Sequence, residues 1–149
     1  MTTKTETPNR HADAVWKGGI KDGKGQITLG SNVFSGTYSY DTRFSVGEGT
    51  TPEELLAAAH AACFTMATSG GLSKAGHPPE SLETNASVTM EMQSGGPLIT
   101  EIKLVIKGKV PGMTDEQFKE IAAEAKKNCP LSKALASVPT ITLEASLVS

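Results

Sequence analysis

The sequence is poor in the residues that build charged or membrane-embedded surfaces. Only two of its 14 basic residues are arginines, Arg10 and Arg43, and its net charge is −2. No basic field exists to hold a phosphate backbone, which excludes nucleic acid as an expected partner. A site needing a planar, permanently charged guanidinium has only those two side chains to draw on. Aromatics make up 5% of the chain, and the longest apolar stretch, Leu55 to Ala67, holds 13 residues interrupted by His60. A bilayer needs about 20, so no membrane span is expected. The polar N-terminus, MTTKTETPNRHADA, has no apolar core of a secretory signal, which points to a cytoplasmic protein; its residues 1–10 read as a flexible arm. Cysteine occurs twice, at Cys63 and Cys129. In a reducing compartment these are either buried small hydrophobes or a redox pair, rather than a permanent structural bridge.

What is present fits one domain over residues 1–149. Extended pieces at 12–16, 25–29 and 33–40, punctuated by glycines, read as an antiparallel meander. Residues 42–49, TRFSVGEG, carry charge without a period and read as a loop. Thr51 as N-cap, Pro52 at the first helical position and Glu54 three residues after the cap mark a helix start. The following LLAAAHAACFTMAT is apolar on nearly every face, as in a core helix covered on all sides, and Gly70-Gly71 is expected to interrupt it.

Ala86, Val88, Met90 and Met92 alternate with polar residues, and Ile102, Leu104 and Ile106 repeat the pattern after the turn Ser94-Gly95-Gly96-Pro97. That predicts a hairpin with one buried face. Thr114 to Gln117 opens an amphipathic helix carrying Phe118, Ile121, Ala122 and Ala125; a short helix after Cys129-Pro130 and a last strand with Ile141, Leu143, Ala145 and Leu147 on one side follow. The class is α+β. A helix apolar all round in so short a chain needs more cover than one open sheet gives, which points to a partner subunit.

Cys63 lies mid-helix, where a free cysteine is as readily a core residue as a reactive one. Cys129 stands directly before Pro130 at a helix start, an N-cap position whose free N–H groups favour a thiolate. His60, three residues before Cys63, raises Cys-His chemistry or a metal, but no ligand spacing accompanies it, and a hydrogen-bonded core or interface histidine is the better reading. Glu53 complements a helix dipole, yet Glu54 already fills the capping position, leaving Glu53 able to pair with Arg43. An arginine so held has spare N–H donors for a thiolate. Glu53 and Cys63 are ten residues apart on one helix, about 15 Å along its axis, so they meet one arginine only if two helices pack antiparallel in a homodimer.

The run DTRFSVGEGTTPEELLAAAHAACFTMA, with Cys129-Pro130 following 66 residues after Cys63, resembles the OsmC/Ohr family of thiol peroxidases, and its arginine just before the helix resembles the OsmC branch. The resemblance implies an OsmC-like fold, antiparallel sheets wrapped around two central helices in an intertwined homodimer with intersubunit active sites. It implies that Cys63 is the peroxidatic cysteine, oxidised to a sulfenic acid, and Cys129 the resolving cysteine that closes a disulfide. Arg43 would stabilise the thiolate and Glu53 orient Arg43, both from the opposite subunit. Organic hydroperoxides would be preferred over hydrogen peroxide, with Phe44, Phe64 and Met66 supplying an apolar setting, and a dithiol such as a dihydrolipoyl group would recycle the disulfide. No cofactor or metal is implied. A different class remains open from sequence: a stress protein that binds a small hydrophobic ligand on the same fold.

Overall fold

Glycine turns fold the N-terminal stretch of the computed structural model, which describes residues 7–45 and 47–148, into a three-stranded meander. Strands β1 (Ala12–Lys17), β2 (Lys24–Leu29) and β3 (Ser35–Tyr38) pair antiparallel in sequence order. Gly25 sits between Trp16 and Tyr38 in the register. Its missing side chain lets the two rings meet above it, with centroids 5.4 Å apart. Of the arm expected over residues 1–10, residues 1–6 lie outside the described residues, and 7–10 are exposed without regular structure.

The loop expected over residues 42–49 begins as a short helix, α1 (Tyr40–Phe44). Ser39 caps it: the Thr42 N–H donates to the Ser39 hydroxyl at 3.2 Å and the Ser39 N–H donates to Thr42 Oγ1 at 2.9 Å. A threonine here fills the capping-box position usually held by Glu or Gln, so the usual pattern does not show. Arg43 is therefore a helical residue. These elements belong to one of two compact units, Met1–Pro52, and the rest to the other, Glu53–Ser149.

Helix α2 (Pro52–Lys74) starts at the expected proline and runs unbroken through Gly70 and Gly71. A glycine inside a helix costs about 1 kcal/mol. Here the helix continues because Leu72, beyond the glycines, is fully buried, and a side chain at Gly71 would come within 2.9 Å of Ile121 Cγ2. The glycine marks a close approach rather than an end.

A sheet of order β4-β5-β6 carries the second unit, with β4 (Ser81–Gln93), β5 (Gly96–Lys109) and β6 (Thr140–Leu147). The β4–β5 hairpin turns on Ser94-Gly95 alone, with Gly96 at φ 115°, so the turn is tighter than the expected four residues. A bulge falls between Thr89 and Met90, and Met92 beyond it is 70% exposed instead of facing the core. Strand β6 runs parallel to β5, correcting the expectation of purely antiparallel sheets. The chain between them folds into α3 (Asp115–Asn128) and α4 (Pro130–Ala134), long enough for the crossover a parallel pair requires.

The core joins Phe64 and Leu72 of α2, Ile102, Leu104 and Ile106 of β5, and Phe118 and Ala122 of α3, all without exposed surface. Each large apolar side chain so buried contributes about 1.5–3 kcal/mol. The α3 start is capped as its sequence predicts, with the Gln117 N–H donating to Thr114 Oγ1 at 3.2 Å.

By length and composition alone α2, at 23 residues with an 18-residue window of mean hydropathy 1.3, is long and apolar enough to cross a membrane, a test that core helices also pass. Its use in this fold is different. His60, Phe64, Thr68 and Leu72 recur every fourth residue as its buried stripe, while Ala58, Ala59, Ala62 and Met66 are exposed, so within one chain the helix is covered on one face only.

Gly108 of β5 makes a second close approach: a Cβ there would stand 2.8 Å from the Phe118 ring and 2.9 Å from Leu82 Cδ2. Replacing a strand glycine ordinarily stabilises the strand. Gly108→Ala is instead expected to destabilise the protein by about 1–3 kcal/mol in urea denaturation through overpacking, and an unchanged or raised midpoint would contradict this packing.

Candidate active site

Proline sets up the site. Cys129 ends α3, its N–H donating to the Ala125 carbonyl at 2.9 Å, and also precedes Pro130, the first residue of α4. A residue before proline is driven out of the helical region, and Cys129 has ψ 129°. The break leaves its side chain over the first turn of α4, where the N–H groups of Leu131 and Ser132 face the sulfur. Cys63, one position before the buried Phe64 on α2, reaches the same spot.

The two Sγ atoms lie 3.0 Å apart, and both cysteines are free thiols. A disulfide requires about 2.05 Å, so an approach of about 1 Å joins them. Their exposures differ: Cys129 is completely buried, whereas Cys63 is partly open.

The environment divides them electrostatically. Burial pushes the Cys63 thiol up, the neighbouring Cys129 adds to that, and the Leu131 N–H offsets only part of it. Burial opposes ionisation of Cys129 too, but the hydrogen bond it shares with Cys63 and the influence of Ser132 and of the Leu131 N–H outweigh it and hold Cys129 below its ordinary value. Within this unit, negative charge belongs on the buried sulfur. Cys63 is the less readily ionised of the two.

His60 is the next member of the cluster. It is fully buried, its Nε2 lies 2.8 Å from Ser132 Oγ, and its buried Nδ1 meets no hydrogen-bonding group among the described residues. The hydrogen-bonded core histidine of the sequence reading is thus observed. Ser132 was not anticipated. Its signal is positional: with Cys129 as N-cap, Ser132 is the third residue of α4, the place from which a capping-box side chain reaches back. Among the described residues no three of His, Cys, Asp and Glu cluster as metal ligands.

Glu53 lies in the first turn of α2, ten residues from Cys63. Arg43 belongs to the other unit, its guanidinium 5.6 Å from the Phe44 ring centre. There it lines a cavity of about 270 Å³ with Trp16, Ile20, Tyr38, Tyr40 and Phe44. Phe64, expected near the site as apolar lining, is a fully buried core residue, and Met66 is 79% exposed.

Burial holds His60 below the ordinary imidazole value of 6.5, so the unfolded chain takes up a proton that the folded chain refuses. Stability linked to His60 is complete above pH about 6.5 and is lost as pH falls toward the depressed folded value. Chemical denaturation between pH 8 and 5 is therefore expected to show a smaller loss in His60→Gln than in wild type. An equal loss in the two proteins would show that folding does not lower the proton affinity of His60.

Residues 45–144 match the family model described as OsmC-like protein. The chain is 42% identical over 144 residues to Peroxiredoxin OsmC of Escherichia coli K12, covering 96% of this chain and 99% of that one. Among solved structures it superposes on an OsmC-like protein from Mycoplasma pneumoniae with TM-score 0.76 at 19% identity, covering 97% and 100% of the two chains. It also superposes on the organic hydroperoxide resistance protein OhrB of Bacillus subtilis, with TM-score 0.68 at 24% identity, covering 93% and 98%. At those identities the structural matches speak for the fold. Glu53, Cys63 and Cys129 fall inside the matched residues, and Arg43 lies just before them.

Proposed function

The chain belongs to the OsmC family and is a thiol-dependent peroxidase of stress defence, and we propose that it reduces organic hydroperoxides, and hydrogen peroxide more weakly, through Cys63 and Cys129. The observation that carries this reading is the 3.0 Å pair of sulfurs, one partly open and one buried. A peroxide reaches the open sulfur first, so Cys63 is the peroxidatic cysteine. Its thiolate attacks the O–O bond, the distal oxygen stays on sulfur as a sulfenic acid, and the alkoxide leaves and is protonated to the alcohol. The Cys129 thiolate then attacks the Cys63 sulfur, forming the disulfide and releasing hydroxide, which is protonated to water. A dithiol such as a protein-bound dihydrolipoyl group restores both thiols by exchange.

Because burial opposes ionisation of Cys63 within its own unit, its thiolate depends on a guanidinium. Arg43 takes that role, oriented by Glu53, both contributed by the opposite subunit of an intertwined homodimer. Two observations support this arrangement: the exposed apolar face of α2 around Ala58, Ala62 and Met66, and the ten-residue separation of Glu53 from Cys63 on one helix, about 15 Å. The aromatic cavity beside Arg43 supports the preference for apolar hydroperoxides. No cofactor or metal takes part in these steps, and a cytoplasmic location keeps both thiols reduced between turnovers.

With tert-butyl hydroperoxide and dihydrolipoamide, Cys63→Ser is expected to abolish turnover, while Cys129→Ser consumes about one equivalent and stops. Full activity in Cys63→Ser would refute the assignment. In the Cys129→Ser background, the pH midpoint for alkylation of Cys63 is expected below the ~8.5 of a free thiol and to rise above it in Arg43→Ala. A midpoint unmoved by that substitution would remove Arg43 from the site.

A further inference from the structure

The peroxidase reading leaves His60 and Ser132 unused, although both converge on the buried sulfur. His60 and Cys129 have no exposed surface, His60 Nε2 and Ser132 Oγ are 2.8 Å apart, and Ser132 stands third in the helix that Cys129 caps, the Cys129 sulfur itself 3.0 Å from Cys63. Two close pairs, His60 with Ser132 and Cys63 with Cys129, thus meet at the start of α4.

The direction of the hydrogen bonds there follows from what His60 lacks. A neutral imidazole carries one N–H. On Nδ1, which meets no acceptor among the described residues, that N–H would be buried and unpaired, the costlier of the two kinds of orphan. Nε2 would then accept from Ser132, using up the only proton the hydroxyl can give. With the proton on Nε2, His60 donates to Ser132 Oγ and the hydroxyl proton is free for Cys129. The orphaned Nδ1 selects this second arrangement.

We propose that Ser132, held in place by His60, aims a hydrogen bond at the Cys129 sulfur and thereby speeds its attack on oxidised Cys63. In this reading Ser132 acts on the reacting atom and His60 is a positioning residue. The inference rests on the cysteine roles proposed above and concerns only the second half of the oxidation. In that step the S–S bond forms and the S–O bond of the Cys63 sulfenic acid breaks. Its electron pair leaves with hydroxide, which takes up a proton equivalent to the one Cys129 gave up on ionising. Cys63 is reduced and Cys129 oxidised, so nothing beyond water is required. A donor on a charged sulfur is stronger than one on a neutral group, and holding the nucleophile ionised raises the reactive fraction.

The test separates the two halves. Reduced protein is mixed with one equivalent of tert-butyl hydroperoxide and sampled over time, with dimedone trapping sulfenic acid and mass spectrometry following the Cys63–Cys129 disulfide. Ser132→Ala is expected to form sulfenic acid at the wild-type rate but close the disulfide roughly ten-fold more slowly, so that trapped Cys63 accumulates. Ser132→Thr, which keeps the hydroxyl, restores closure. His60→Leu slows closure to the same degree, and the double variant no further. Wild-type closure in Ser132→Ala overturns the proposal, as does a parallel loss of both steps that Ser132→Thr does not repair, since that marks a merely structural role. Dimedone label on Cys129 in Cys63→Ser, with none on Cys63 in Cys129→Ser, overturns the cysteine roles themselves and this inference with them.

Discussion

Everything in the proposed chemistry depends on a break in a helix. Pro130 cannot continue α3, the residue before it turns to an extended conformation, and the side chain at that corner is a cysteine set over the next helix start. Cys63 of α2 is the other thiol of the chain, so the corner makes the pair. A sulfur at 3.0 Å from another is close enough to bond after a small movement and far enough to remain two thiols.

The same corner sorts the two sulfurs. Cys129 is sealed from solvent and its ionisation is favoured by its neighbours; Cys63 is more open, but burial and its neighbour oppose its ionisation. Attack on peroxide and attack on sulfenic acid place opposite demands on a thiol: reach toward solvent for the first, and permanent readiness at short range for the second. The division matches those demands, provided a cation is brought to Cys63. Helix α2 offers the means, since one face of it is used in the core while Ala58, Ala62 and Met66 on another are uncovered within one chain.

Much of this was legible in the sequence where a local pattern and the tertiary structure agree. Alternation fixed the faces of β4 up to Met90 and of β6, the Thr114-Gln117 pair marked the α3 start, and Cys129-Pro130 announced the helix junction. Legibility ended where distant contacts override local preference. Gly70-Gly71 read as a stop, but the approach of Ile121 and the burial of Leu72 keep the helix intact. Phe64 read as apolar site lining, whereas it is a fully buried core residue, about 100° around the helix from Cys63. The parallel entry of β6 depends on the crossover and leaves no mark on the strand itself. Ser132 escaped notice because a serine in a first helical turn is unremarkable until Cys129 and His60 are seen to flank it.

The most direct test of the central claim is a thiol count with disulfide mapping after one equivalent of cumene hydroperoxide is added to fully reduced protein. The account predicts that both thiols per chain are lost together and that peptide mapping under non-reducing conditions recovers one Cys63–Cys129 link. Loss of Cys63 alone as a sulfinic acid, with Cys129 still titrating, would contradict it, as would two thiols that survive the peroxide.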